Sequence, residues 1–336
     1  MTTETLRPGG LDGQQRDDPL AHELEALRQD IEDRIDELLT DSGGHTDLLA
    51  LAMRAGALGA GKRMRPLLLT LVARDLGCTS PAVTDVACAV EMVHAASLML
   101  DDMPCMDNAM LRRGRPAVHV QYGEDVAILA AVGLLSRAFG ILASAPGIAP
   151  AVRARLVAKL ADTVGARGLV RGQFEDLRGG RQRSAAEIAT TNELKTGVLL
   201  GVAVDMAAII AQADERVAQS LRAFALSAGQ AFQIRDDFQD IPGNDSAVSG
   251  KDVGKDIGKA TLVATLGIDE ARRRLAAHLR EADRYLFEAI GARQRTRRFV
   301  GSLFSHDAPL SGPAPDLGAL VAADGAARQR RAARIN

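Results

Sequence analysis

Residues 99–116 read MLDDMPCMDNAMLRRGRP. An apolar run delivers two adjacent aspartates, Asp101 and Asp102, and Pro104 follows. Proline has no N–H and disfavours α geometry at the residue before it, so the helix carrying Leu98 and Leu100 is expected to stop near Asp102 and give way to a loop. The loop lets Asp107 swing back toward the pair, which a straight helix would not allow. Arg112 and Arg113 come a few residues later. Taken alone, an acidic pair at a helix end is a solvated cap or the partner of a neighbouring cation.

The pattern occurs twice, which changes its reading. FQIRDDFQD, residues 232–240, reads as helix throughout, so Asp236 and Asp240, four apart, share a face, and Asp237 lies about 100° around from Asp236. Like charges at that spacing cost a helix a few tenths of a kcal/mol, so something cationic should offset them. Both clusters, DDxxxxD and DDxxD, follow apolar helical stretches. Oxygen-only ligands on two separate elements suit Mg²⁺, which keeps several waters and binds through a few carboxylates plus substrate phosphates. With no His or Cys in either cluster, zinc is disfavoured.

Outward from these clusters, the chain is helical. Its 336 residues are 47% hydrophobic, enough for a sizeable core, and only 3% aromatic, with no Trp. Ala, Leu and Arg abound and no run of alternating β-branched residues appears, which predicts an all-α fold. Leu20, Leu24, Leu27, Ile31, Ile35 and Leu38 trace the buried stripe of a first helix that ends at the DSGG of 41–44. Further breaks fall where Gly and Pro gather, at 77–81, 104, 114–116, 145–150, 179–184 and 242–254. One helical domain over 19–304 is expected, between a disordered tail at 1–18 and a flexible Pro/Ala/Arg-rich tail at 305–336.

A net charge of −2 gives no general pull toward nucleic acid or membrane, so electrostatic function must be local. The apolar stretches 127–150 and 198–213 are interrupted by Arg137 and Asp205, so no membrane span is expected. Cys78, Cys88 and Cys105 show neither CxxC spacing nor a complete pairing, which fits a reducing cytoplasm.

If carboxylates bind magnesium, the substrate should be a polyphosphate, held elsewhere by basic groups. GKRMRP at 61–66 offers Lys62 and Arg65 at a helix start expected at Pro66. Arg112 and Arg113, Lys195 in ELKTG, and Lys251, Lys255 and Lys259 in SGKDVGKDIGKAT are the other candidates, each alone more often a surface residue. GALGAGKR at 56–63 almost spells a nucleotide-binding P-loop, but Arg63 stands where the Mg²⁺-holding hydroxyl belongs and no strand precedes it.

HAASLMLDDMPCMDNAMLRRGRP and QAFQIRDDFQD, with GKRMRP upstream and GKDVGKDIGKATL downstream, resemble the trans-isoprenyl diphosphate synthase family, and within it most the bacterial geranylgeranyl diphosphate synthases. The likeness covers roughly residues 20–304. It implies antiparallel helices around a deep central cavity with the two aspartate motifs facing each other at its mouth. Asp101, Asp107, Asp236 and Asp240 would bind Mg²⁺, three ions per site, bridged to an allylic diphosphate, with Asp102 and Asp237 in support. Lys62, Arg65, His94 and Arg113 would bind isopentenyl diphosphate; Arg112, Lys195 and Lys251 would hold the allylic diphosphate, and Lys259 matches a further family lysine. Gln173 and Asp176 correspond to family residues beside the reacting chain, and Thr196 and Gln233 to oxygen dipoles near the reacting centre. His94, alone on an apolar helix, would ordinarily be a core residue; seven residues before Asp101 is close to two turns, about 10 Å along the same face.

The implied reaction is ionisation, condensation and elimination, with isopentenyl and allylic diphosphates as partners and a homodimer as the assembly. Ala96 and Ser97, below Asp101, stand where short-chain relatives often carry an aromatic block. Neither can block, so a C20 product is expected, with C15 and C25 or longer as alternatives. Asn108 and Arg235 depart from common family residues without removing a ligand. Less favoured are a class I terpene cyclase, which would not need Lys62, Arg65, His94 and Arg113, and a silent regulatory subunit, whose motifs are usually eroded.

Overall fold

The computed structural model describes residues 19–40, 46–178, 193–239 and 262–305, together with the single residues 184, 187, 190 and 191. The expected tails lie outside these, except that Ser305 closes the last helix; Asp240, Lys251, Lys255 and Lys259 also lie outside.

The helices are α1 Pro19–Thr40, α2 Leu48–Ala57, α3 Met64–Asp75, α4 Ala82–Asp101, α5 Val118–Tyr122, α6 Glu124–Ser144, α7 Pro150–Val164, α8 Leu169–Arg178, α9 Val198–Ile210, α10 Glu215–Gln239, α11 Leu262–Leu266, α12 Ile268–Ile290 and α13 Arg295–Ser305. α4 is the core helix: fifteen of its twenty residues are buried, and α1, α2, α3, α6 and α9 pack around it. α9 also meets α3, α7 and α10, while α12 packs along α10 and α13 returns onto α3.

Local chemistry sets the boundaries. Asp47 caps α2, its Oδ1 accepting from Leu49 N at 2.8 Å and Ala50 N at 3.1 Å. Pro150 opens α7, where a missing N–H costs nothing. α1 buries Leu20, Leu27, Ile31, Ile35 and Leu39; Leu39, a full turn beyond Ile35, takes the place expected of Leu38. α3 starts at Met64 rather than Pro66, because Arg63 turns the chain in the left-handed region (φ 45°). The polar residues that interrupt apolar stretches have partners: buried Asp205 on α9 meets Lys159 of α7 at 2.5 Å and Arg222 of α10 at 3.4 Å. Arg137 Nε donates to Leu38 O at the end of α1 at 2.8 Å.

Among the described helices, α4 and α6 have the length and apolarity of a membrane span. The apolar window of α4 is 78% buried in the protein, as a core helix requires; that of α6 is 39% buried and exposes Ile128, Leu129 and Val132.

Two features departed from the all-helical pattern. Residues 111–116 form a small hairpin, β1 Leu111–Arg112 antiparallel to β2 Arg115–Pro116, with Leu111 opposite Pro116 and Arg112 opposite Arg115. Its two-residue turn, Arg113 and Gly114, has both φ positive (54° and 76°), the pairing a tight hairpin favours. Glu193–Gly197 form a π-helical turn at the head of α9.

Candidate active site

The first aspartate motif takes the predicted shape. α4 ends at Asp101, and the chain folds back so that Asp107 N donates to Asp101 O at 2.9 Å. Asn108 adopts a left-handed conformation (φ 48°), which asparagine tolerates better than most residues. The three carboxylates differ in role. Asp102 is buried and held in a fork by Arg112, whose Nε lies 2.9 and 3.1 Å from its two oxygens and whose Nη2 donates to Oδ1. Asp101 is partly exposed and Asp107 lies in the loop beside it. Burial disfavours the charge on Arg112, but the bonds to Asp102 and the pull of Asp102, Asp101 and Asp107 more than offset it and raise its pKa. The Arg112 guanidinium is therefore bonded to Asp102 and feels the charges of Asp101 and Asp107.

The second motif divides similarly. On α10, Asp237 is buried, accepting Gln233 Nε2 at 2.9 Å and, across the chain, Leu262 N at 2.8 Å. Desolvation raises its pKa against these bonds. Asp237 thus holds α11 onto α10, and Gln233, read from sequence as an oxygen dipole near the reacting centre, donates its Nε2 to Asp237. Asp236 is the carboxylate presented outward, its side chain 44% exposed and 3.3 Å from Arg235 Nη2.

Four arginines of the chain gather around His94. Arg65 Nη1 lies 3.2 Å from His94 Nε2. Arginine can only donate, so Nε2 is the acceptor and the ring proton sits on Nδ1. Burial, followed by Arg65, Arg113, Arg112 and Arg63, pushes the His94 pKa well below the usual 6.5, so the ring is neutral. Its Nδ1 and the Nε of Arg65 are buried with no hydrogen-bond partner among the described residues. Burial also lowers the pKa of Arg65, with Glu91 and Asp236 pulling the other way and Arg113 reinforcing the drop. Arg65 therefore stands within electrostatic reach of the second motif while bonded to a residue two turns below the first. Lys62 is exposed beside it, and Arg113 Nη1 donates to Ala60 O at 2.5 Å, tying the hairpin to the loop before α3.

α8 closes the remaining side. Gln173 and Asp176 lie on its half-buried face; Gln173 Nε2 contacts Met106 Sδ at 3.7 Å, and its Oε1 is buried without a partner among the described residues. The π turn carrying Lys195 and Thr196 packs against α8, α9 and α10, and Gly229 comes within 3.3 Å of Gly197, measured from where its Cβ would stand. The side chains of Lys195 and Thr196 are not described. Ser97 lies one turn before Asp101, partly exposed, with Oγ donating to His94 O at 2.8 Å; Ala96 is fully buried. A separate cleft of about 500 Å³, lined by Asp30, Arg34, Glu37 and Asp85, involves none of these residues.

A family model described as polyprenyl synthetase matches residues 46–290. The chain belongs to the polyprenyl synthetase family. This polyprenyl synthetase is 49% identical to a geranylgeranyl diphosphate synthase of Pantoea ananas over 283 residues, 83% of this chain and 92% of the relative. It is 43% identical to a farnesyl diphosphate synthase of Geobacillus stearothermophilus over 246 residues, 72% of this chain and 81% of the relative. A Helicobacter pylori geranyltransferase, solved in complex with magnesium and isoprenyl diphosphate, superposes with a TM-score of 0.71 at 26% identity, covering 85% of this chain and 96% of its own.

Sequence reasoning passed over Arg63, Glu91 and Glu32, which the site assembles around Lys62 and Arg65. No local signal marks them, since Arg63 meets partners 31 and 28 residues away. Among the described residues, no three His, Cys, Asp or Glu side chains converge closely enough to hold an ion alone.

Proposed function

We propose that this polyprenyl synthetase condenses isopentenyl diphosphate with an allylic diphosphate, magnesium-dependently, and ends at the C20 geranylgeranyl product. The position of Arg65 carries this reading: bonded to neutral His94 on one side and within electrostatic reach of Asp236 on the other, it links the basic cluster to the second acidic motif. The greater identity and coverage of the geranylgeranyl relative supports C20, as do Ala96 and Ser97, neither of which has the bulk to shorten a growing chain.

The donor set fits magnesium. Asp101, Asp107 and Asp236 offer only oxygen, on two separate elements, and Asp107 is folded back onto Asp101 by the Asp107 N to Asp101 O bond. When bound, magnesium supplies Lewis-acid stabilisation to the departing diphosphate. The chain's own residues do the rest. Lys62, Arg65, Arg113 and the Nδ1–H of His94 hold the isopentenyl diphosphate so that its double bond faces the allylic carbon. The allylic C–O bond breaks with its electron pair leaving on diphosphate; the double bond attacks the carbocation; the proton lost in elimination goes to the released diphosphate. The apolar walls from α4 and α9 keep water from the cation.

A second copy of the chain is the partner. The exposed Ile128, Leu129 and Val132 of α6 and the exposed Val170, Phe174 and Leu177 of α8, each spaced along one helical face, give two apolar stripes to cover. The free thiols of Cys78, Cys88 and Cys105 fit a cytoplasmic enzyme. The deciding assay incubates the purified chain with labelled isopentenyl diphosphate, Mg²⁺ and dimethylallyl, geranyl or farnesyl diphosphate in turn, and measures product carbon number. C20 from every primer is expected; no condensation, or cyclised hydrocarbon from an allylic diphosphate alone, would overturn the reading.

A further inference from the structure

Of the three cationic side chains of the GKRMRP segment, that of Arg63 is buried, only 2% exposed. All three of its donor groups are committed: Nε to Glu32 of α1 at 3.0 Å, Nη1 to Glu91 of α4 at 3.1 Å and Nη2 to Gly59 O at 2.7 Å. Its backbone is left-handed (φ 45°, ψ 35°), a conformation that costs a non-glycine residue of order 1 kcal/mol or more and persists where the surroundings over-determine it. That turn starts α3 and sets the directions in which Lys62, just before it, and Arg65, just after it, leave the chain.

The far ends of the bridge are also fixed. Glu32 accepts a second bond, from Arg28 Nη1 at 3.1 Å, and Glu91 is buried in the core helix three residues before His94. Glu91 is moreover the anion that most favours the charge on Arg65. Space is tight: a Cβ on Gly61 would stand 3.1 Å from Arg63 Nη1 and as close to the Arg113 guanidinium carbon. Arg65, His94 and Arg113 thus stand near a Glu32–Arg63–Glu91 bridge in which Arg63 and Glu91 are buried and Glu32 is partly exposed.

We propose that Arg63 is a positioning residue for the isopentenyl diphosphate subsite: through Glu32 and Glu91 it locks the left-handed turn that aims Lys62 and Arg65 at the diphosphate, without touching substrate. This inference rests on the assignment of Lys62 and Arg65 to that substrate. A lysine in its place keeps the charge but cannot reach three acceptors with one fork.

The test compares Arg63→Lys, Glu32→Gln and Lys62→Ala with wild type, measuring KM for isopentenyl diphosphate and for the allylic diphosphate separately, with thermal melting alongside. Arg63→Lys is expected to raise KM for isopentenyl diphosphate at least tenfold while leaving the allylic KM within twofold. Glu32→Gln, which leaves Arg63 two strong partners, should shift it the same way by less, and serves alone if Arg63→Lys does not fold. A folded Arg63→Lys with unchanged KM for isopentenyl diphosphate, or equal rises in both KM values, would overturn the proposal. With Arg63→Lys unfolded, an unchanged or non-selective Glu32→Gln would do the same. Lys62→Ala separates the two levels: if it too leaves KM for isopentenyl diphosphate unchanged, the subsite assignment itself fails.

Discussion

Replacing Gly61 with alanine would probe the basic cluster by adding one methyl group. The new Cβ would meet the Arg113 Cζ and Arg63 Nη1 at 3.1 Å each, and Arg113 Nη1 closer still, where ordinary contact begins at 3.4 Å. Arg63 cannot yield, because its guanidinium is buried and bonded three ways. Arg113, exposed on the hairpin, must move by about 1 Å and give up its 2.5 Å bond to Ala60 O. Stability should change by less than about 1 kcal/mol, because the lost bond is exposed and Gly→Ala removes freedom from the unfolded chain. Binding should suffer more: a displaced donor to a charged group is worth about 1.5–3 kcal/mol, or roughly ten- to hundredfold in KM for isopentenyl diphosphate. Initial rates with each substrate varied at saturation of the other would measure it, with a thermal melt as control. KM for isopentenyl diphosphate within twofold of wild type, in a folded variant, would refute the reasoning, as would an equal rise in the allylic KM.

Ser97→Phe, partly exposed one turn below Asp101, is expected to shift product from C20 toward C15, and fully buried Ala96→Phe to cost stability as well by overpacking; unchanged C20 from Ser97→Phe in a chain-length assay would remove it from the wall. His94 has a folded pKa below its unfolded value of 6.5, so the unfolded chain binds the extra proton and stability falls as pH drops below 6.5, by up to about 1.4 kcal/mol per pH unit from this group; His94→Gln should flatten that part of a urea-midpoint profile, and an identical slope in both proteins would contradict it. Asp75 Oδ2 accepts both Thr296 Oγ1 at 2.6 Å and Thr296 N at 3.2 Å, all buried, so Asp75→Ala should lose about 2–4 kcal/mol in urea unfolding, and a loss under about 0.5 kcal/mol would show the tie between α3 and α13 to be dispensable. Leu129→Glu on the exposed stripe of α6 should sediment as a monomer, and an unchanged dimer would move the interface elsewhere.

Much of the site was legible because its signals are local. Pro104 announces the end of α4 within three residues, and the return of Asp107 follows from that break. Spacing along one helix puts His94 below Asp101 without any knowledge of the rest. What escaped depends on partners distant in sequence. Arg63 reads as the residue that spoils a P-loop, and only Glu32 and Glu91 reveal it as a buried anchor. Asp237 reads as a supporting carboxylate, but its partner Leu262 N, 25 residues away, has no local signal. The hairpin at 111–116 is too short for any strand periodicity, and its one cue was a two-residue turn ending in glycine. The π turn at 193–197 left no cue in composition.

The central claim is that the acidic motifs and the basic cluster serve one shared space. Crystals grown with Mg²⁺, isopentenyl diphosphate and an unreactive allylic diphosphate analogue would test it most directly. Metal ions on Asp101, Asp107 and Asp236 bridging one diphosphate, with the second diphosphate on Lys62, Arg65 and His94, is the predicted result. Ions confined to a single motif, or a second diphosphate bound away from Arg65, would contradict it.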